Sequence, residues 1–417
     1  MSDVFGQSLF FVYVGYCLYL CRVIPLRSSK ALLWNDPAKV QTIYNVMNRT
    51  YPRIKRTEYH LVHTPDALKR DADTDYTSGY FFVTINVRDH RPILGTIAGH
   101  YDAATRCAED TEVRLSSFGE RVQQCWEAIP AAFANVQLID VQVMPEHFHG
   151  LLYMEQLEGV HLGKVVGKFK KDCTRAYREI TGREDESLFE AGYNETIPIT
   201  SKELQTKIDY IHANPERRFI KQQFPACFFI RRGRHSPNWT PMRIEQGLRH
   251  DTYLATHADA MQTALDDLRP RLLQNGDRLT LDCIGTPDLL QAPHKLPLVC
   301  HRADADRFAE HTTAVLREAE AGAVIVSAFI SPKEREILKN LIMRGLPVIE
   351  ITDNGFGRTY KPWGDAFYAC AENRLLQITP WTYRYEKDHT PVSRPMCMVM
   401  NELTRLICGQ DEFWWNK

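Results

Sequence analysis

The chain has 417 residues and a formal net charge of −1, a size that allows two domains with full hydrophobic cores. This near-neutral charge excludes a global electrostatic attraction to nucleic acid, so a nucleic-acid surface would have to be a local basic patch. Its 11 cysteines are odd in number and include no Cys-x-x-Cys pair, so we expect reduced thiols in a cytoplasmic protein rather than a zinc ribbon or a disulfide framework.

The amino terminus carries an uncharged apolar segment, residues 9–21, bounded by Asp3 and Arg22. It is shorter than the roughly 20 residues of a membrane-spanning helix, and it lacks the basic start and cleavage site of a secretory signal. A helix packed on the protein, a membrane anchor and residues upstream of the natural start are three open interpretations. We expect a peripheral extension over residues 1–50 and no membrane partner.

Two histidines lie at the start of a predicted strand. Residues 136–143 and 148–154 show the apolar patterns of β-strands. Because side chains alternate along an extended backbone, His147 and His149 should emerge on one face and Phe148 on the other. Neutral imidazole nitrogens bind divalent metals, so the pair forms half of a metal site. Surface or hydrogen-bonded histidines are the alternative that this motif leaves open.

A helix that carries a tyrosine is predicted from residue 201 onward. Its apolar residues recur at helical spacing: Leu204, Ile208 and Ile211. Ser201 is a suitable N-cap, and Pro215 should end or kink the helix. Tyr210 and Asn214 are four residues apart and become neighbours on one face if the last turn persists to the proline. A core tyrosine with a locally bonded hydroxyl fits the same spacing.

Two clusters of basic residues supply local patches in the near-neutral chain. The first has helical spacing just after the histidine strand: Lys164, Lys168, Lys170, Lys171, Arg175 and Arg178. The second is interleaved with phenylalanines: Arg217, Arg218, Lys221, Arg231, Arg232 and Arg234. Arginines bind phosphates and aromatic rings stack on bases, so we predict a DNA-binding surface. A solvated basic loop over a phenylalanine core is the alternative.

A different pattern follows the turn signal at Asn275-Gly276. Strands and helices alternate there, at residues 279–284, 304–321, 323–328, 332–343 and 346–351. This alternation predicts a parallel, doubly wound sheet and a separate domain over residues 277–417.

Two loops of this carboxyl-terminal part lie where such sheets bind ligands. Residues 327–332 lead into a helix start, whose backbone N–H groups favour an anion, and residues 353–357 follow the next strand. The candidate ligand residues are Ser327, Ser331, Asp353, Asn354 and Gly355, with a nucleotide as the ligand class. No Gly-x-Gly-x-x-Gly or Walker sequence is present. Loops that merely turn the chain are the alternative.

The motifs share an order with a known family. The sequence Met-Pro-Glu-His-Phe-His-Gly at residues 144–150, followed by Asp-Tyr-Ile-His-Ala-Asn-Pro at 209–215, resembles the single-tyrosine HUH transposases, most closely their REP-associated branch. Three more segments are similar in order: 80–88 to the opening strand, 168–174 to the first basic helix and 188–195 to the hairpin before the tyrosine helix. The resemblance covers roughly residues 55–240. The carboxyl-terminal part loosely resembles Rossmann-like domains of the DNA-processing and lysine-decarboxylase-like group.

The resemblance implies an α+β fold in two domains. An HUH domain over residues 51–275 would have a central antiparallel sheet flanked by helices, and a Rossmann-like α/β domain would follow. It implies that His147, His149 and Asn214 hold Mg²⁺ or Mn²⁺, and that Tyr210 attacks single-stranded DNA near a hairpin to form a 5′-phosphotyrosine. Family members commonly work as dimers, and the sequence leaves open whether this chain forms a homodimer.

Three departures from the family pattern concern the hairpin and the tyrosine helix. In the hairpin, Asn194-Glu195 stand where the family commonly has Asp-His. After the Asn-Pro pair, Glu216 and the arginines that follow it replace a small residue and Gly. Asn214 itself occupies a position where related enzymes often have Gln. Two other functions fit the sequence: a domesticated DNA-binding protein that no longer cleaves, and a nucleotide-sensing protein whose nuclease is the effector.

Overall fold

The computed structural model describes residues 75–102, 107–184, 187–300, 305–358, 360–384 and 392–410. The extension predicted over residues 1–50, with its apolar segment, lies outside these residues. The chain divides into two compact units, Met1–Ile220 and Lys221–Lys417. Within the described ranges, no helix combines the length and the hydropathy that crossing a bilayer requires.

The described part of the first unit contains six strands and four α-helices. In chain order they are β1 (Gly79–Asn86), β2 (Gly95–Asp102), β3 (Cys107–Leu115), α1 (Ser117–Glu127), α2 (Ile129–Ala132), β4 (Val136–Val143), β5 (His147–Met154), α3 (Leu162–Thr181), β6 (Asn194–Thr196) and α4 (Ser201–Gln223). The strands predicted at 80–88, 136–143 and 148–154 and the helix predicted from 201 all lie within or close to these bounds. The mixture of helices with antiparallel strands confirms the α+β class.

The sheet that carries the histidine motif is antiparallel throughout. Its strand order is β4-β5-β1-β6, so β1 and β5 are central, and the separate ribbon of β2 and β3 is also antiparallel. In the β1–β5 register, Asn86 lies opposite His147 and Thr84 lies opposite His149. The histidines therefore lie at one end of the two central strands.

One face of this sheet packs on α1 and α3. Phe148 is fully buried there, with its ring 4.9 Å from Trp126 of α1 and 4.8 Å from Phe169 of α3, centroid to centroid. Gly150 points to the same face, where a Cβ atom would lie 2.5 Å from the Trp126 ring. The indole thus occupies the space that a larger residue at position 150 would need.

The opposite face is covered by α4. Tyr80, Phe82, Leu151 and Tyr153 of the sheet form a small core with Leu204, Ile208 and Ile211 of the helix, and Tyr210 packs against it. The sheet is therefore the middle layer between α1 and α3 on one side and α4 on the other.

Two expectations for α4 are corrected. Of the two outcomes predicted at Pro215, an end or a kink, the end does not occur. The helix continues to Gln223, because Pro215 and the residues beyond it, Phe219 and Ile220, are buried and packing outweighs the cost of the missing N–H. The N-cap is Thr200 rather than Ser201, since the Thr200 hydroxyl accepts a hydrogen bond from Glu203 N at 3.1 Å.

The second unit is built around a mixed sheet. Its elements are β7 (Arg231–His235), α5 (Pro241–Leu248), α6 (Thr252–Thr256), α7 (Ala258–Leu268), β8 (Gln274–Asn275), β9 (Arg278–Gly285), β10 (Lys295–Pro297), α8 (Ala305–Glu320), β11 (Val324–Ser327), α9 (Pro332–Met343), β12 (Val348–Ile351), α10 (Asp365–Ala371), β13 (Leu375–Thr379) and α11 (Arg394–Cys408). The strand order is β10-β11-β12-β13-β9-β7, with β8 paired to β9.

The sheet of the second unit is parallel only in part. Strands β10 to β13 are parallel, as the alternating pattern predicts, whereas β9 runs antiparallel to β13 and β7 antiparallel to β9. The strand predicted at 279–284 is therefore an antiparallel addition to the doubly wound part.

The two compact units divide at a different place from the domain boundary predicted between residues 275 and 277. The division falls between Ile220 and Lys221, because β7 joins the second sheet and Trp239, Ile244 and Leu248 belong to the core of the second unit.

Candidate active site

The two histidines of the motif face each other on the α4 side of the sheet. Their Nε2 atoms are 3.0 Å apart, and their ring centroids are 4.6 Å apart. His149 is buried at 3% exposure, and the His147 side chain is 19% exposed. Phe148 lies in the core on the other face, so the alternation predicted from the sequence places the imidazoles as expected.

Tyr210 lies beside this histidine pair. Its ring centroid is 5.4 Å from that of His149 in an edge-on arrangement and 5.9 Å from that of Phe82. Phe82 in turn stacks on His149 with centroids 5.3 Å apart. The three rings form one aromatic group that holds the partly exposed tyrosine next to a buried imidazole.

The outer nitrogens of both imidazoles have neighbours that the motif does not include. His149 Nδ1 is 2.9 Å from Thr84 Oγ1, within hydrogen-bonding distance. His147 Nδ1 is 3.9 Å from Glu146 Oε1, close enough for a charge interaction but too long for a hydrogen bond. The same carboxylate oxygen is 2.8 Å from Arg218 Nε on α4. When Nδ1 carries the proton, the Nε2 lone pair is directed at the other histidine.

A second polar contact connects α4 to the sheet. His212 Nε2 is 2.7 Å from Asp140 Oδ2 of β4. Together with Arg218 and Glu146, it fixes the helix on both sides of Asn214. Tyr210 is thus held against the histidines by two polar contacts as well as by the apolar core beneath the helix.

Lys207 adds a cation near the aromatic group. Its Nζ atom is 5.1 Å from the centroid of the Phe82 ring. Burial lowers the pKa of Lys207, while the nearby Glu203 carboxylate acts in the opposite direction. Lys207 precedes Tyr210 by three residues, which places both on neighbouring positions of one helical face. The three-residue spacing of Lys207 and Tyr210 is a sequence signal for this cation that lies outside both predicted basic clusters.

The histidine pair fits the donor chemistry of a divalent metal. Two neighbouring ligands of an octahedral ion, each about 2.1 Å from it, are roughly 3 Å apart, which matches the separation of the Nε2 atoms. Among the described residues, no group of three or more His, Cys, Asp or Glu side chains is arranged to hold a metal. A third protein ligand would therefore have to be of another type, such as an amide oxygen.

Asn214 is the amide that the sequence suggests for this role. It is 7% exposed and donates from Nδ2 to the Tyr210 carbonyl oxygen at 2.8 Å, one turn earlier on α4. This bond uses the amide nitrogen and leaves Oδ1 as an acceptor. The side chain lies back along its own helix, and its role as a metal ligand stays a prediction.

The basic residues predicted to bind DNA have different surroundings. Lys168 is exposed and paired with Asp172 at 2.6 Å, and Lys171 is exposed. Lys170 has another role, because its ammonium donates to the carbonyl oxygens of Glu190 and Gly192 at 2.7 and 2.9 Å. Burial lowers its pKa, with the Glu190 carboxylate opposing the shift. Lys170 therefore holds the segment before β6.

The arginine patch is divided between the two units. Arg217 and Arg218 belong to the first. In the second, Arg231 donates to the carbonyls of Ala226, Phe229 and Gly285, and Arg232 pairs with the buried Asp282 at 2.6 Å. These two side chains support β7 and β9. Arg234 is exposed on β7 and keeps the surface position that DNA binding requires.

In the loops predicted as a ligand site in the second unit, polar side chains form hydrogen bonds within the protein. The Ser327 hydroxyl accepts from Phe329 N, and Ser331 caps α9 in a capping box with Glu334. A buried carboxylate at this helix start disfavours the anion expected there.

The second loop is similarly engaged. The Asn354 side chain is hydrogen bonded to the backbone of Gly355 and Arg384. A Cβ atom on Gly355 would lie 2.2 Å from Tyr383 N, so this glycine permits the two loops to approach closely. Asp353 is exposed.

Known proteins resemble this chain over only part of its length. No protein-family model matches the chain. An uncharacterized protein of Haemophilus influenzae is 25% identical over 159 residues, which are 33% of this chain and 81% of the relative. A REP-associated tyrosine transposase bound to a REP hairpin has a TM-score of 0.26 at 17% identity, over 40% of this chain and 74% of that one.

A second solved structure is DNA processing protein A of Helicobacter pylori, described with single-stranded DNA. Its TM-score is 0.23 at 23% identity, over 31% of this chain and 57% of that one.

Proposed function

We propose that this chain cuts and rejoins single-stranded DNA near hairpins through a covalent tyrosine intermediate. The observation that supports it is the juxtaposition on one sheet face of a phenol and two imidazoles whose Nε2 atoms converge to 3.0 Å. A nucleophile beside a pair of metal-binding nitrogens is the equipment that attack on a phosphodiester needs.

Tyr210 has the role of nucleophile in this proposal. Its oxygen attacks the scissile phosphorus, a bond to the tyrosine forms, and the bond to the 3′ oxygen breaks. The phenol loses its proton, and the departing oxygen takes one up from water to become a free 3′-hydroxyl. The 5′-phosphotyrosine keeps the energy of a phosphodiester, so the 3′-hydroxyl of another strand can reverse the step and join the ends.

His147 and His149, with Asn214 as the third ligand, would hold Mg²⁺ or Mn²⁺. A bound ion would neutralise charge on the phosphate and favour attack by the phenol oxygen. Thr84 and Glu146 orient the imidazoles, and Lys207 adds a positive charge close to Phe82 and Tyr210.

The DNA contacts would come from basic side chains that are exposed on α3 and β7 and partly exposed on α4. Lys168 and Lys171 of α3, Arg217 and Arg218 of α4 and Arg234 of β7 are the residues proposed to take phosphates. The family resemblance is the single reason to propose a homodimer. We propose no nucleotide for the second unit, because its candidate loop side chains are largely engaged internally.

The decisive test is formation of a covalent protein–DNA adduct. The full chain is incubated with Mg²⁺ or Mn²⁺ and end-labelled single-stranded DNA that carries hairpins from the flanks of its own gene. A labelled band that survives denaturation, and a peptide with phosphotyrosine at Tyr210, is the expected result. Hairpin binding without any adduct would instead identify a DNA-binding protein that does not cleave.

The histidine pair should behave as a unit in this assay. We expect His147→Ala and His149→Ala each to reduce adduct formation by about 100-fold or more, because several kcal/mol of charge stabilisation depend on both ligands. The double variant should be hardly worse than either single one. His90→Ala, at an exposed histidine of the same unit, is the control and should retain activity. Full cleavage by wild type in excess chelator contradicts the metal assignment.

Glu146→Gln tests the neighbour of His147. The substitution keeps the size of the side chain but removes the charge shared by His147 and Arg218. We expect Mn²⁺ affinity, measured by calorimetry without DNA, to fall by about 10-fold, since outer partners of metal-binding histidines typically contribute 10- to 100-fold. Glu127→Gln, an exposed residue at the end of α1, is the matched control. Unchanged affinity in Glu146→Gln would show that the carboxylate only anchors α4.

A further inference from the structure

The register of the two central strands places an amide beside the histidine motif. Asn86, the last residue of β1, lies directly opposite His147, two residues beyond the pair formed by Thr84 and His149. The side chains of Thr84 and His149 meet at 2.9 Å, so this pair lies on the α4 face of the sheet. Because side chains alternate along a strand, Asn86 lies on the same face. Directly opposite residues have Cβ atoms about 4.5–5.5 Å apart, so Asn86 and His147 are neighbours there.

A carboxylate fixes the orientation of this amide. Asn86 Nδ2 donates a hydrogen bond to Glu190 Oε2 at 3.1 Å. Since a carboxylate is only an acceptor, the amide atom that faces Glu190 must be the nitrogen. The amide oxygen of Asn86, Oδ1, is therefore turned away from Glu190, and within the described ranges no donor is recorded for it.

The segment that carries Glu190 is itself tied to its surroundings. Glu190 N donates to Asn86 O at 3.0 Å, and the adjacent Phe189 pairs with Val87 in an antiparallel bridge. Lys170 of α3 donates to the Glu190 carbonyl oxygen at 2.7 Å. The direction of the Asn86 amide is thus set by groups that are held by a strand and a helix.

Asn86 and Asn214 are held in different ways. The nitrogen of Asn214 donates to a carbonyl of its own helix, whereas that of Asn86 donates to a carboxylate. Hydrogen bonds to a charged group are roughly twice as strong as neutral ones, and metal ligands are commonly fixed by such outer partners. Asn86 also belongs to the same sheet as both histidines, so no movement of α4 alters its place beside them.

We propose that Asn86 Oδ1 is a further oxygen ligand of the divalent cation at His147 and His149, with Glu190 as its positioning residue. The inference rests on the metal centre of the proposed function and adds a donor from β1 to it. Mg²⁺ and Mn²⁺ accept oxygen ligands, which suits an amide oxygen. Two imidazoles and the amides of Asn86 and Asn214 would supply four of six octahedral ligands, so positions remain for substrate oxygens or water.

Mn²⁺ affinity of the full chain, titrated by calorimetry without DNA, tests this assignment. Asn86→Ala should weaken binding by about 10-fold or more, since even outer partners of metal ligands typically contribute 10- to 100-fold. Asn86→Asp keeps an oxygen and adds charge, so it should bind at least as tightly as wild type. Aspartate cannot donate to Glu190. If Asn86 only held Glu190 in place, the two variants would therefore be equally weak.

Two further variants serve as control and as test of the positioning residue. Asn194→Ala removes an exposed amide of β6, on the far side of β1 from the histidines, and should leave Mn²⁺ affinity unchanged. Glu190→Ala should weaken binding in the otherwise wild-type chain but add little to Asn86→Ala, because a positioning residue acts through the ligand that it holds.

The outcomes separate this ligand from the metal centre as a whole. Equal affinity in wild type and Asn86→Ala, or equally weak binding in Asn86→Ala and Asn86→Asp, would overturn the role of Asn86 and leave the histidine pair as the metal site. A wild-type chain that binds no Mn²⁺ would overturn the metal centre and this ligand with it. Thermal unfolding in chelator checks the fold, and Asn86→Leu, of similar size, replaces an alanine variant that does not fold.

Discussion

Tyr210→Phe should abolish the covalent adduct, with a loss of at least about 1000-fold, because phenylalanine has no oxygen to bond to phosphorus. Folding should change little. The ring contacts with His149 and Phe82 remain, and the structure records no hydrogen bond for this hydroxyl among the described residues. Hairpin affinity, measured by fluorescence anisotropy, should therefore stay within about twofold of wild type, and adduct formation is measured on denaturing gels.

Tyr193→Phe is the matched control for that experiment. Tyr193 is the next tyrosine along the family hairpin, but it packs against the core on the opposite face of the sheet. It should keep full adduct formation. Adduct formation by Tyr210→Phe, or its loss in Tyr193→Phe, would show that another residue is the nucleophile. It would also remove the reason for placing a metal at His147 and His149.

Glu402→Ala should destabilise the second unit by about 3–5 kcal/mol, the typical cost of breaking a buried ion pair from one side. Glu402 of α11 is fully buried and lies 2.6 Å from Arg243 Nε of α5 and 3.0 Å from Arg405 Nη1. Without the carboxylate, two guanidinium groups of low exposure lose their counter-charge. The helices also meet closely here, since a Cβ atom on Gly247 would lie 2.7 Å from Glu402 Cβ.

Hydrogen exchange read by mass spectrometry locates this effect. The opening free energy of amides in α5 and α11 should fall in Glu402→Ala, while amides of β1 and β5 in the first unit should be unchanged. Glu245→Ala is the control, because Glu245 of α5 forms a solvent-accessible pair with Arg249, just beyond the helix, and such pairs contribute about 0–1 kcal/mol. Equal protection in the two variants would show that the buried pair contributes no more than the exposed one.

The sequence predicts those parts of the molecule that depend on local periodicity. Alternation along residues 147–149 is sufficient to place two imidazoles on one face and Phe148 on the other, and helical spacing is sufficient to find α4. The contacts of Thr84 with His149 and of Arg218 with Glu146 depend on strand register and on how α4 crosses the sheet. The spacing of nearby residues does not encode the strand register or the path of α4 across the sheet.

The expectations that the structure corrects are those in which tertiary packing outweighs a local signal. Pro215 is a helix breaker by local rules, yet α4 continues because the residues beyond it are buried. The chain turns at Gly276-Asp277, one residue later than the Asn275-Gly276 dipeptide predicts, and this turn joins β8 and β9 instead of separating domains. A turn signal alone does not distinguish these two uses.

The packing of Gly150 against Trp126 has a consequence for how the motif is used to recognise relatives. In the four residues 147–150, the odd positions carry the proposed chemistry, and the even positions, Phe148 and Gly150, fit the core behind the strand. A descendant that lost both imidazoles would still need the phenylalanine and the glycine to keep the strand in place. A match at the even positions therefore reports shared architecture, and only the odd positions carry information about the proposed cleavage chemistry.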